Sequence, residues 1–309
     1  MSPERVIIVG SRGSRLALRQ TELVLAELRR RFPGRRFEVE EVRTTGDRRP
    51  DAPLATIGGQ GVFVKELETA LRARRVDLAV HSLKDVPTEL GRSLVLAAVT
   101  ERGDVRDAVV SRGHRRLADL PAGSRVGTGS LRRAVQVRAL RPDLEVVDLR
   151  GNVDTRLRKV EEGLVDAAIL AAAGLARLGY LNRAAELLDT DAMLPAIGQG
   201  ALTLEARADD AEAIEMASAL DHRDTRLATT AERAFLARLG GGCRLPIAAL
   251  GIVEGDSLRL RGLVADREGR RLLRGEVAGP SADAEALGAS LAEQLLGRGA
   301  ADLIAEAER

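Results

Sequence analysis

Val6-Ile7-Ile8-Val9-Gly10-Ser11-Arg12-Gly13-Ser14-Arg15 is the stretch on which the fold turns. Four β-branched residues in a row predict a strand buried on both faces. The Gly/Ser turn after them leads into a segment whose Ala17, Thr21, Val24 and Leu28 recur at helical spacing. The same order returns at Ser124-Arg125-Val126, then Gly127-Thr128-Gly129-Ser130, then a helical segment from Leu131-Arg132-Arg133. A further repeat joins them: a helix over 65–74 feeds a strand over 76–80, and a helix over 155–162 feeds a strand over 165–170. Two similar α/β lobes with mostly parallel sheets are therefore expected, because helix-to-strand alternation builds parallel βα units. The chain would cross between them near 100–104 and near 194–200, with about 200–220 returning to the first lobe.

Beyond a helix over 229–239 lies Gly240-Gly241-Gly242-Cys243-Arg244-Leu245-Pro246. Short strands are predicted over 247–253, 257–265 and 271–277, separated by turns at Glu254-Gly255-Asp256 and Arg267-Glu268-Gly269. A last helical stretch runs from near Ala282 toward Ala307. This predicts a smaller α+β third domain, an antiparallel sheet with helix on one side. The expected division is domain 1 at 1–100 and 200–220, domain 2 at 101–199 and domain 3 at 221–309.

The 309 residues are 45% hydrophobic and 30% charged, the balance of a water-soluble chain able to bury full cores. One cysteine and no signal-peptide pattern make the cytoplasm the expected location. The nearly pure apolar run 167–176 is far short of the ~20 residues of a membrane span. A net charge of +2, aromatics at 2% and no Trp argue against a nucleic-acid partner, which needs basic surface and stacking platforms. Only three of the 48 basic residues are lysines, Lys65, Lys84 and Lys159, so an arginine carries information only where its setting is unusual. Cys243 and the histidines His81, His114 and His222 show no zinc-type spacing, and no metal is expected.

Several segments bear chemistry. Cys243 behind three glycines suits a covalent tether, since glycine lets a ligand approach the backbone, although a lone cysteine is equally at home as a small buried hydrophobe. The Gly/Ser turns present free N–H groups and the positive end of a helix dipole, with Arg12, Arg15, Arg132 and Arg133 adding bidentate donors. Taken singly, each also reads as a capped helix with solvated arginines. Arg150-Gly151-Asn152-Val153-Asp154-Thr155-Arg156-Leu157-Arg158 repeats the pattern, and Arg177 follows the alanine-rich strand and a turn after it. His81-Ser82-Leu83-Lys84-Asp85-Val86-Pro87 is the most unusual polar run; it closes an apolar strand, where open α/β sheets place ligands and where ordinary charged loops also occur.

Together, Gly10 to Leu18, Thr44-Thr45-Gly46-Asp47, Gly58 to Glu66, Val80 to Pro87, Val126 to Arg133, Leu149 to Arg156, Leu194 to Leu202 and Gly240 to Pro246 resemble the porphobilinogen deaminase (hydroxymethylbilane synthase) family over essentially the whole chain. The resemblance implies two periplasmic-binding-protein-like lobes and a third domain bearing the cofactor cysteine. It also implies a transferase of tetrapyrrole (haem, chlorophyll, corrin) biosynthesis that joins four porphobilinogen molecules, releasing ammonia at each step, into hydroxymethylbilane. The primer would be a dipyrromethane held by a thioether to Cys243. Asp85 matches the catalytic aspartate. Lys84, Asp85, Thr128, Ser130, Arg132, Arg133, Arg150 and Arg156 match cofactor-binding positions. Arg12, Ser14, Ser82, Arg150, Arg156, Arg177 and Gln199 match substrate-binding positions.

The carboxylate chemistry accounts for these residue types. Each pyrrole carries an acetate and a propionate, and even at an effective dielectric of ~20 an unpaired pair of carboxylates at ~4 Å repels by about 4 kcal/mol. The expected enzyme is a monomer whose product passes to uroporphyrinogen III synthase. Thr56 and Gln60 depart from the lysines some members carry there, leaving Arg48 and Arg49 as local substitutes. A non-catalytic two-lobed anion receptor would use the same Gly/Ser helix starts without needing Cys243 or Asp85.

Overall fold

The computed structural model describes residues 5–42, 64–240, 242 and 245–308, and these form two compact units: the first up to Arg102 together with Ala201–Arg226, the second Gly103–Gly200 together with Leu227 onward. Cys243, Arg244, Thr56, Gln60, Arg48, Arg49 and the Thr44 to Asp47 motif lie outside the described residues.

In the first unit, β1 (Ile7–Arg12) pairs in parallel with β2 (Phe37–Val42) and with β3 (Leu78–Ser82). β4 (Leu94–Val99) completes a sheet of order β2-β1-β3-β10-β4, in which only β10 (Leu202–Arg207) runs against the rest. Ile7, Val9, Leu78 and Leu204 are fully buried, as the unbroken apolar runs require of strands covered on both faces. Helix α1 (Arg15–Arg31) starts at Ser14, whose side chain accepts from Ala17 N, and buries Thr21, Val24, Leu25 and Leu28 against this sheet. Helix α2 (Lys65–Arg72) covers the other face through Leu67, Ala70 and Leu71.

The second unit repeats the pattern. Its sheet runs β7-β6-β8-β5-β9, from β5 (Asp107–Ser111), β6 (Arg125–Gly127), β7 (Glu145–Val147), β8 (Ala167–Ala171) and β9 (Glu186–Leu187). Here β5 is the one reversed strand. Helices α3 (Leu131–Leu140), α4 (Val153–Glu161) and α5 (Ala172–Arg177) follow β6, β7 and β8. The alanine-rich run is thus a strand and then a helix, and Arg177 ends that helix rather than following a turn.

The same unit contains the antiparallel sheet β11 (Ile247–Glu254), β12 (Ser257–Ala265) and β13 (Leu272–Pro280), reached from α7 (Arg223–Arg238); α6 (Ala211–Ser218) belongs to the first unit. The expected single terminal helix is instead two, α8 (Ala284–Leu296) and α9 (Ala300–Glu308). Gly297-Arg298-Gly299 separates them, with Gly299 at φ +94°, a conformation that helical residues do not take. Phe235, Leu260, Leu291, Leu295 and Leu303 fill the core between this sheet and its helices. Val135 and Leu194 pack with Ala248, Leu250 and Leu263, joining α3 to the sheet. The β12–β13 turn also packs on α3: Gly269, at φ +74°, leaves no room for a side chain, whose Cβ would run into Val135 O. No helix among the described residues is long and apolar enough to cross a membrane.

Candidate active site

In the first unit the polar residues gather at the C-terminal ends of β1 and β3, which are adjacent and parallel. That is where a parallel sheet leaves its strand-to-helix loops free for ligand. Arg12 ends β1 and Ser14 caps α1. Ser82, the last residue of β3, is bonded to Gln20 of α1, with Gln20 Nε2 at 3.1 Å. Lys84 and Asp85 follow in one 3-10 turn, Leu83–Asp85, fixed by Leu83 N donating to Ala201 O at 3.0 Å and Val86 N to Leu83 O at 3.1 Å. Leu83 is buried beneath while Asp85 is half-buried, its carboxylate without a side-chain partner among the described residues. Directly before the turn, buried His81 Nε2 lies 3.0 Å from Glu205 Oε2 on β10.

The second unit places its residues in a tight cluster. Thr128 is buried and its Oγ1 accepts from Ser130 N at 3.1 Å, ordering the turn before α3. Arg132 and Arg133 are not solvated: both are buried against Asp107, the first residue of β5. Arg133 donates to Asp107 Oδ1 from Nε at 3.1 Å and Nη2 at 2.7 Å, to Ile169 O and to Gln199 Oε1. Arg132 Nη1 lies 2.8 Å from Asp107 Oδ2 and donates to Leu194 O, while its buried Nε has no hydrogen-bond partner among the described residues. Gln199 is fully buried and donates to Asp107 Oδ1 at 2.9 Å and Val105 O at 2.8 Å. Arg150 Nε donates to Asp148, Arg156 Nε to Gly151 O, and Arg177 Nη2 to Gly200 O at 2.6 Å.

Electrostatics give this cluster its character. Burial, with the nearby charges of Arg133 and Arg150, lowers the Arg156 guanidinium to about 10, and burial lowers Arg177 to about 10. Arg132 and Arg133 pair with Asp107 and Arg150 with Asp148, while Arg156 and Arg177 donate to backbone carbonyls, so desolvated positive charge is left in excess. A group rich in carboxylates fits such a site; a neutral or cationic one does not.

Asp107 is the residue the sequence reading missed. Its only local signal is an acid at the start of the apolar run Ala108-Val109-Val110, and its partners lie 26 and 92 positions away. Burial alone would raise the Asp107 carboxyl, but the charges of Arg132 and Arg133 and their hydrogen bonds outweigh it and hold the group well below the usual carboxylate range. A depressed carboxyl contributes stability that is complete above the unfolded value of ~3.9 and is lost as pH falls through and below it. Asp107→Asn, which leaves two buried guanidiniums without their anion, is expected to cost about 3–5 kcal/mol at neutral pH. The gap between parent and variant should narrow as pH falls from 6 toward 3, because only the parent titrates there. Urea unfolding at stepped pH measures both; a gap that stays constant would remove Asp107 from the ion pair.

The fold is that of an α/β protein with two mostly parallel sheets and a smaller antiparallel one, with basic and hydroxyl side chains at its strand ends. The model for "Porphobilinogen deaminase, dipyromethane cofactor binding domain" matches residues 7–215, and that for "Porphobilinogen deaminase, C-terminal domain" matches 226–297. The porphobilinogen deaminase of Roseiflexus sp. (strain RS-1) is 52% identical over 302 residues, covering 98% of this chain and 99% of its own. That of Desulforudis audaxviator (strain MP104C) is 52% identical over 301 residues, covering 97% of each. Among solved structures, the methionine-binding protein MetQ overlays on 70% of this chain and 89% of its own, at a TM-score of 0.45 and 15% identity. The chain belongs to the porphobilinogen deaminase family, enzymes of tetrapyrrole biosynthesis.

Proposed function

We propose that this chain joins four porphobilinogen molecules into the linear tetrapyrrole hydroxymethylbilane, on a dipyrromethane tethered through a thioether to Cys243. The observation that carries the reading is the desolvated excess of guanidinium charge around Arg132, Arg133, Arg150, Arg156 and Arg177. When bound, the dipyrromethane supplies the pyrrole carbon to which the first substrate unit is joined.

The protein's own residues do the rest. Arg132, Arg133, Arg150, Arg156, Thr128, Ser130 and Lys84 hold carboxylates of the primer, and Arg12, Ser14, Ser82 and Arg177 hold those of substrate, with Arg150 and Arg156 serving both. Gln199 acts through Arg133 and Asp107, to which it is bonded. Loss of ammonia from porphobilinogen leaves a cation shared between the methylene carbon and the ring nitrogen. Asp85, on a turn held by backbone hydrogen bonds and without a side-chain partner among the described residues, stabilises that charge and can accept the proton later lost from the joined carbon. Three functional domains follow from this division of labour: one lobe with Asp85, one with the arginine cluster, and a third part with the cysteine. A monomer suffices, since each role falls on this one chain. The released tetrapyrrole is substrate for a ring-closing enzyme of the uroporphyrinogen III synthase kind.

Intact-mass measurement tests the reading. The purified chain should be two pyrrole units heavier than its sequence, and limiting porphobilinogen should add one to four more with equimolar ammonia release. A bare polypeptide that takes up no increment and releases no ammonia would leave an anion receptor with this fold.

A further inference from the structure

Arg267 and Arg270 sit in the β12–β13 turn, far in sequence from every motif described above, yet the fold brings them to the arginine cluster. A cavity of about 630 Å³ opens at the C-terminal ends of β6 and β7, within the size range of small-molecule sites. One wall is Thr128, Ser130 and Arg150; the other is Arg138 of α3 with Arg267 and Arg270. Four guanidiniums and two carboxylates, Asp148 and Glu268, line it, and Asp148 is already engaged by Arg150.

The turn is held in place. Asp266 accepts from Arg270 N and Arg271 N, both at 2.9 Å, and Arg138 Nη1 donates to Arg267 O at 2.9 Å. Gly269 is pressed on Val135, so the turn cannot drift from α3 without losing that contact. The guanidiniums of Arg267 and Arg270 have no side-chain partner among the described residues. An anchored turn thus presents two exposed cations across a cavity from residues already assigned to carboxylate binding.

A charge count gives them a role. Five cations of the second unit, Arg132, Arg133, Arg150, Arg156 and Arg177, serve the proposed reading, and Asp107 and Asp148 offset part of that charge. A six-ring chain carries a dozen carboxylates. The shortfall grows with every ring added and is greatest at the last additions.

We propose that Arg138, Arg267 and Arg270 form a carboxylate subsite for the lengthening polypyrrole, engaged when the chain outgrows the inner arginines. The inference rests on the polymerase reading above. Binding here is reversible ion pairing and makes or breaks no covalent bond.

The test uses primer-loaded holoenzyme of the parent, of Arg267→Ser/Arg270→Ser, and of Arg267→Lys/Arg270→Lys. Limiting porphobilinogen is added and the protein carrying one to four extra rings is resolved by intact mass over time; each resolved species is also melted. In the serine variant the ratio of late (third and fourth) to early addition rates should fall at least tenfold. Its species with three and four added rings should lose melting temperature relative to the parent's, more than its primer-only form does. The lysine variant should recover most of both effects, since it keeps the charge. An unchanged late-to-early ratio overturns the proposal, and so does a stall already at primer loading or the first addition, which would put these arginines on the primer. A parent that yields no ladder at all overturns the polymerase reading instead.

Discussion

Asp85→Asn lowers the rate of tetrapyrrole formation by about 10²–10³, the usual worth of a preorganised group facing charge that develops in the transition state. The substitution keeps the shape of the side chain and one acceptor oxygen but removes the negative charge. The turn that carries it does not depend on that charge, since Leu83 N and Val86 N bond to backbone oxygens and Leu83 is the buried anchor. Asp85→Glu keeps the charge, displaces it by one methylene and should retain part of the activity. The assay is product formation from porphobilinogen by purified, primer-loaded protein, with circular dichroism to verify the fold. Turnover of Asp85→Asn within about threefold of the parent, ~0.65 kcal/mol on the rate scale, would make Asp85 an ordinary loop residue.

Cys243→Ser should leave a folded protein without a covalent pyrrole and with product formation lowered at least about 10²-fold, ~2.7 kcal/mol or more. A soft thiolate attacks a carbon electrophile readily, whereas a serine hydroxyl is intrinsically a much weaker nucleophile. The fold should survive because the flanking residues are anchored independently: Leu239, just past α7, is buried in the core, Leu245 N bonds to Gly242 O, and Leu245 and Ile247 are buried. Intact mass gives the answer directly. A serine variant that carries two pyrrole units in full would move the tether elsewhere.

The two lobes were legible because their signals are local. Ile7 to Val9 open β1 by β-branching and burial, and the Gly/Ser turns lead into helices at Arg15 and Leu131 whether or not the rest of the chain is considered. The strand directions were legible only in part: β10 and β5 run against their neighbours, a consequence of where the chain crosses between units and not of any pattern inside those strands. The division of the terminal helix into two lies in the backbone of Gly299, at φ +94°, a break that the helical pattern on either side does not signal.

For the site, sequence alone determined which residue types stand at the strand ends: a lysine and an aspartate after β3, paired arginines after β6, and an arginine on either side of the turn into α4. These follow from contiguous motifs, where spacing along the chain is spacing in the structure. Only the tertiary structure decided what those charges meet. It set Arg132 and Arg133 on Asp107, placed Gln199 beside them and brought Arg267 and Arg270 to the cavity next to Ser130. Ion pairing acts through space at about 3 Å, and residues 26, 92 or more than a hundred positions apart reach that range only after the sheets have formed.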